Sequence, residues 1–127
     1  MKSERSLVAG NIPVLRLSGE LDLNSVPDVR RSIRALIDEG LVNFIINLTD
    51  LDFIDSSGLG VLVGGLARVR EKQGEIKITC ANKRILRIFE MTRLTQLFEL
   101  YPTEEEAARS FRIGTVPPSP PSSEEAA

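Results

Sequence analysis

The run Val42-Asn43-Phe44-Ile45-Ile46-Asn47-Leu48 constrains the fold more than any other segment. It is short, dense in β-branched and apolar residues and bounded by turn formers, the pattern of a strand buried in the middle of a sheet. Glu75 to Cys80 alternates and predicts another strand. Val14 to Leu17 predicts one more, which Leu7-Val8-Ala9 can join as a hairpin across Gly10-Asn11. Ser18-Gly19-Glu20-Leu21-Asp22 reads as a turn that breaks this apolar run, and Phe98 to Tyr101 has the composition of an edge strand.

Helical periodicity fills the intervals. Val26, Val29, Ile33, Leu36 and Ile37 recur at helical spacing, with Ser25 as N-cap, Pro27 in the tolerant first turn, Asp28 on the favourable end of the dipole and Gly40 as the stop. A second helix is predicted from about Ser56 to Gln73, closed by Gly74, with Leu59, Leu62, Val63, Leu66 and Val69 on one side. Its glycines at 58, 60, 64 and 65 each weaken helicity by roughly 1 kcal/mol relative to alanine, which close backbone packing would justify. Lys83 to Met91 predicts a short helix burying Ile85, Leu86, Ile88 and Phe89. Thr103-Glu104-Glu105-Glu106 has the capping-box spacing for a last helix carrying Ala107, Ala108 and Phe111.

Strands that alternate with helices after an opening hairpin imply one α/β domain over residues 1–113. Its sheet is expected to be mixed, four- to five-stranded, and parallel across right-handed crossovers, with about four helices packed on it. Residues 114–127, rich in Pro, Ser and Glu and without large apolar side chains, are expected to form a disordered tail.

Charge and composition narrow the function. A chain of 127 residues with 42% hydrophobic content builds one core of ordinary size. Its net charge of −2 gives no electrostatic footprint for nucleic acid or an anionic membrane surface. The polar start and the lack of any apolar run near 18 residues argue against a signal peptide and a membrane segment, so a cytoplasmic protein is expected. Histidine is absent, which removes the commonest general base and the commonest metal ligand. Cys80 stands alone between apolar neighbours, as a buried strand residue. The chain is read as a non-enzyme, with no cofactor assigned.

The stretch from Asp52 to Gly60 carries the chemistry, because polar and small residues crowd a helix start directly after a buried strand. With Asp55 as N-cap, Ser56 becomes the first helical residue and shows its hydroxyl to solvent. A phosphoryl group there is favoured by the helix end by about 0.3–1 kcal/mol, while Asp55 and Asp22 oppose it with like charge. From the residues alone, two readings stand side by side: plain capping, or a modification site.

Asp55-Ser56-Ser57-Gly58-Leu59-Gly60-Val61, together with Ser18-Gly19-Glu20-Leu21-Asp22 one strand and one helix earlier, resembles the paired signature of STAS domains that act as anti-sigma-factor antagonists. The similarity of pattern runs over about residues 5–112. It implies a partner-switching cycle. In that cycle the unphosphorylated antagonist binds an anti-sigma factor that is also a serine kinase, which frees the sigma factor. The kinase then phosphorylates the first serine of the motif, here Ser56, and a metal-dependent serine phosphatase restores it. By the same resemblance Ser57 fills the supporting second position, Asp22 and Asp55 are acidic positions for partner contact or loop geometry, and Gly58 and Gly60 stand where the turn meets the helix.

Rival classes fare worse. A serine hydrolase needs a histidine and a Gly-x-Ser-x-Gly elbow, and neither is present. Asp50, Asp52 and Asp55 lack the glycine and glutamate positions of a calcium loop and read as turn and cap residues. The serious alternative is a STAS domain with another task, as a scaffold in a stress-signalling assembly or a subunit of a lipid transporter.

Overall fold

The computed structural model describes residues 1–8 and 11–114, with side chains through 111. The predicted tail beyond Gly114 lies outside the described residues. The elements in chain order are β1 (Lys2–Val8), β2 (Ile12–Leu21), α1 (Val26–Asp38), β3 (Asn43–Ile54), α2 (Ser56–Glu71), β4 (Glu75–Thr79), α3 (Lys83–Met91), a 3-10 turn (Leu94–Gln96), β5 (Leu100–Tyr101) and α4 (Glu104–Gly114). The five strands form one sheet in sequential order. β1 runs antiparallel to β2, and β2, β3, β4 and β5 are mutually parallel, so the sheet is mixed as the hairpin-then-alternation pattern predicts.

β3 sits at the centre with both faces covered. Phe44, Ile46 and Leu48 join Leu15, Leu17, Ile76 and Ile78 against α1, α2 and α3. On the other face Ile45 and Val14 meet Ala107, Ala108 and Phe111 of α4. All of these β3 side chains are fully buried, which is why the run is apolar at consecutive rather than alternate positions.

α4 is held to its face by charge as well as by packing. Arg16 makes two bonds of 2.7 Å to the Glu104 carboxylate, and the Asn47 amide donates a third at 2.7 Å. Lys77 of β4 is buried: its ammonium donates to Ser110 at 2.9 Å, pairs with Glu99 at 3.1 Å and lies 4.6 Å from the Phe111 ring centre. Thr103 caps α4 through a 3.1 Å bond from the Glu106 N–H, as its spacing predicts. Cys80 is buried as expected, and burial pushes its thiol pKa up.

Several boundaries differ from the sequence reading, each for a physical reason. Ser18 to Leu21 does not end β2. Gly19, at φ 97°, lies among register shifts that let the strand stay paired with β3 as far as Leu21 opposite Ile54. A bulge carries the same residues as a turn but keeps the ladder. For the same reason β3 runs on through Thr49 to Ile54, beyond the predicted strand end at Leu48. Ser25 stands at the N-cap of α1 with helical dihedrals (φ −99°, ψ −13°), so its hydroxyl cannot cap. It turns back to donate to the Glu20 carbonyl at 2.8 Å and to accept the Asp22 N–H at 2.9 Å.

On α2 it is Val61 that is buried, with Leu62, Leu66 and Val69, while Leu59 and Val63 lie on the half-buried flanks. Its four glycines divide. Gly58 and Gly65 pack closely, whereas a Cβ on Gly60 or Gly64 would meet nothing within 4 Å. Beyond α2, the left-handed residue is Gln73 at φ 63° rather than Gly74. Gly74 is required for space, since a Cβ there would lie 2.7 Å from Val42 Cβ and closer still to the Val42 carbonyl.

Gly74→Ala therefore forces backbone to move and is expected to lower the unfolding free energy by about 1–3 kcal/mol. Gly64→Ala should raise it by up to about 1 kcal/mol. Urea titrations of both variants decide between packing and propensity, and equal effects would contradict the division.

The Arg16 guanidinium holds the Glu104 carboxyl below the usual carboxylate range, with Asn47 adding to the effect. A carboxyl with a lower pKa in the folded than in the unfolded state stabilises the fold above its unfolded pKa. That contribution is lost as the pH falls through the folded value. Glu104→Gln should thus flatten the decline of Tm with acidification below about pH 4.3, the ordinary glutamate value. An acid limb parallel to that of the native chain would refute this assignment.

Candidate functional site

β3 delivers the chain to the surface at Ile54, and Asp55 turns it into α2. Asp55 has extended dihedrals (φ −110°, ψ −174°), the conformation in which a short acidic side chain can fold back on the helix start. Its Oδ1 accepts the Gly58 N–H at 2.9 Å and the Ser57 hydroxyl at 2.6 Å. These donors, with the Ser57 hydroxyl foremost and the backbone N–H groups of Gly58, Ser57 and Leu23 behind it, hold the Asp55 carboxyl below its ordinary pKa. The group is an anion at neutral pH.

The two serines are consequently not equivalent. Ser56, the first residue of α2, is exposed, and its hydroxyl makes no hydrogen bond among the described residues. Ser57 is half-buried and its hydroxyl is committed to Asp55. Modification of Ser56 leaves the cap intact, whereas modification of Ser57 would break it.

The segment that ends β2 lies directly against this turn. Leu21 is opposite Ile54 in the β2–β3 register, and its carbonyl accepts the Asp55 N–H at 3.2 Å. A Cβ on Gly58 would stand 2.8 Å from both the Leu21 carbonyl oxygen and Leu21 Cγ, and 2.9 Å from Ile54 Cγ1. Glycine at 58 is thus what lets α2 start so close to the strand ends. The two sequence motifs are brought together by this contact.

Asp22 is half-buried and serves its own loop. Its carboxylate accepts the backbone N–H groups of Asn24 at 3.0 Å and Ser25 at 3.2 Å, an Asx turn that leads into α1. Gly60 does not stand in the turn. It lies inside α2, exposed, with open space where a side chain would be.

Two residues went without a role in the sequence reading. Leu23 at the tip of the β2–α1 loop is 74% exposed and Phe53 at the end of β3 is 48% exposed. Each directly follows an aspartate, Asp22 and Asp52, and that adjacency is the signal that marks them. Asp50 and Asp52 extend along β3, and among the described residues no group of three metal-ligating side chains comes together.

Ser56 offers an open hydroxyl on a rigid mount, and the neighbouring carboxylate is spent on the cap rather than on taking a proton. Asp55→Ala should cost about 1 kcal/mol through the lost cap. Gly58→Ala should cost about 1–3 kcal/mol through overpacking against Leu21 and Ile54. Chemical denaturation measures both, with Gly60→Ala as a control expected to be neutral or stabilising.

The STAS domain family model matches residues 6–107. The anti-sigma-B factor antagonist of Listeria monocytogenes is 34% identical over 91 residues, which cover 71% of this chain and 79% of that protein. An anti-sigma factor antagonist from Mycobacterium paratuberculosis shares the fold with a TM-score of 0.78 at 24% identity, covering 87% of this chain and 93% of the other. The Bacillus cell fate determinant SpoIIAA, solved in its phosphorylated form, superposes with a TM-score of 0.67 at 28% identity over 87% of this chain and all of the other. With a mixed sheet that brings two short motifs to the head of α2, the chain belongs to the STAS domain family, among its anti-sigma-factor antagonists.

Proposed function

We propose that the chain is an anti-sigma-factor antagonist switched by phosphorylation of Ser56. Unphosphorylated, it binds an anti-sigma factor with serine-kinase activity in the cytoplasm and so frees the sigma factor. Transfer of a phosphoryl group to Ser56 releases the partner, and a metal-dependent serine phosphatase resets the cycle. The observation that carries this reading is the inequality of the two adjacent hydroxyls, one exposed and unengaged, the other bonded at 2.6 Å to Asp55. The phosphorylated state of the structural relative SpoIIAA supports it.

The energetics follow from where the charge is added. A phosphoserine carries about −1.5 to −2 charges at neutral pH. Within the domain it gains from the start of α2 about what it loses to the Asp55 anion, so the fold tolerates it. At a closed interface it has no such balance. Leaving a buried charge unpaired costs about 3–5 kcal/mol, and roughly 1.4 kcal/mol is a factor of ten in affinity. One phosphate is thus enough for release. Asp55, Ser57 and Gly58 support the phosphoacceptor by fixing the cap and the helix start, and Asp22 shapes the neighbouring loop.

Incubation with candidate kinase anti-sigma factors and ATP, followed by mass spectrometry, should find one phosphate, at Ser56. Ser56→Glu should weaken binding to the anti-sigma factor by more than about tenfold, while Ser56→Ala binds like the native chain and takes no phosphate. Equal affinities for Glu, Ala and native chains, or phosphate on Ser57 instead, would sink the switch. Absence of transfer with every cognate kinase would favour a scaffold or transporter role.

A further inference from the structure

Between α1 and α2 runs a cleft that neither the cap nor the phosphoacceptor uses. Its floor is the buried Ile33 of α1 with Val61 and Gly65 of α2, and above it lie the exposed Gly60 and Gly64, the two α2 glycines that no packing inside the domain requires. Its rim is three arginines, Arg30 and Arg34 one turn apart on α1 and Arg68 on α2. All three are exposed, and among the described residues none pairs with a carboxylate. Three arginines without an ion-pair partner among the described residues thus line one small cleft with an apolar floor and two open glycines, in a chain whose net charge is −2.

The cleft holds about 100 Å³. That is well below the roughly 300–1,000 Å³ that enclose a small ligand, so the shape suits a segment laid along it rather than a molecule sealed within it. Bare glycines let a second backbone approach closely, and arginines bind carboxylates through two parallel bonds. We infer that this cleft receives an acidic helical segment of the anti-sigma factor, with carboxylates seated on Arg30, Arg34 and Arg68. The inference rests on the function proposed above and deepens it.

Position along α2 ties the cleft to the switch. Ser56, Gly60, Gly64 and Arg68 follow one another at intervals of four residues, so they form one slowly winding row on the helix surface. Gly60 lies about 6 Å along the axis from Ser56, inside the Debye length of about 8 Å at physiological ionic strength. An acidic segment that fills the cleft therefore passes close to the phosphoacceptor. A dianion on Ser56 repels a carboxylate seated at the Gly60 end of the cleft, and release becomes electrostatic as well as steric.

The test uses the full chain and two probes. The first is the anti-sigma factor that phosphorylates Ser56. The double variant Arg34→Glu/Arg68→Glu and the filling variant Gly64→Leu should each weaken its binding by about tenfold or more, with the loss for the charge variant shrinking in high salt. Melting curves must show both variants folded, which the open space at Gly64 favours. Native affinity in both would overturn the cleft while leaving the Ser56 switch standing.

If no anti-sigma factor binds the native chain, the parent reading fails and the second probe decides the cleft alone. That probe is a synthetic helical peptide with glutamates four residues apart, followed by amide chemical shifts. Shifts confined to Arg30, Arg34, Gly60, Gly64 and Arg68, and abolished by Gly64→Leu, uphold an acidic-helix site. Absence of shifts, scattered shifts, or binding of duplex DNA or anionic vesicles in place of the peptide would overturn it.

Discussion

Everything else in this molecule depends on a strand whose first half is covered on both faces. Phe44, Ile45, Ile46 and Leu48 are fully buried at alternating orientations, so β3 can exist only between two covering layers. α1, α2 and α3 supply one layer and α4 the other. Because β2, β3 and β4 run parallel, their carboxyl ends emerge at one edge of the sheet, where connecting loops in open α/β folds gather their binding sites. Asp55 and Ser56 emerge there directly from the most buried strand. Their rigidity is inherited from the core, not built by the loop itself.

The two covering layers are attached differently. The layer of three helices packs on the large apolar core, whereas α4 combines a small apolar patch with the Arg16–Glu104–Asn47 cluster and the buried Lys77. A charged attachment specifies geometry at a desolvation cost, and it makes the hold of α4 vary with pH. The head of α2 has a titrating group of its own in the Asp55 cap, whose carboxyl is likewise held below its ordinary pKa, so acid acts on both layers.

How much of this was legible in the sequence depended on whether the cause of a feature is local. The boundaries of α3, the cap at Asp55 and the apolar core of β3 follow from the spacing of neighbouring residues, and periodicity locates them. Gly19 misleads because a bulge and a turn ask for the same residue, and only the partner strand tells them apart. Ser25 misleads because a hydroxyl at a helix start has other partners within reach, here the Glu20 carbonyl as acceptor and the Asp22 N–H as donor. The α2 glycines look alike in the sequence. Gly58 and Gly65 have side chains opposite them, Gly60 and Gly64 have none, and what stands opposite is decided by elements distant along the chain.

The bond between Ser57 and Asp55 has a consequence for how the molecule can store information. Two neighbouring hydroxyls would ordinarily permit a mixture of singly and doubly modified species, each with its own affinity. Here one of the pair is withdrawn into the backbone cap at 2.6 Å, so an enzyme acting on this loop meets a single target. Under the switch proposed for Ser56, each copy would be either marked or unmarked, and the marked fraction would be a graded quantity assembled from all-or-none units.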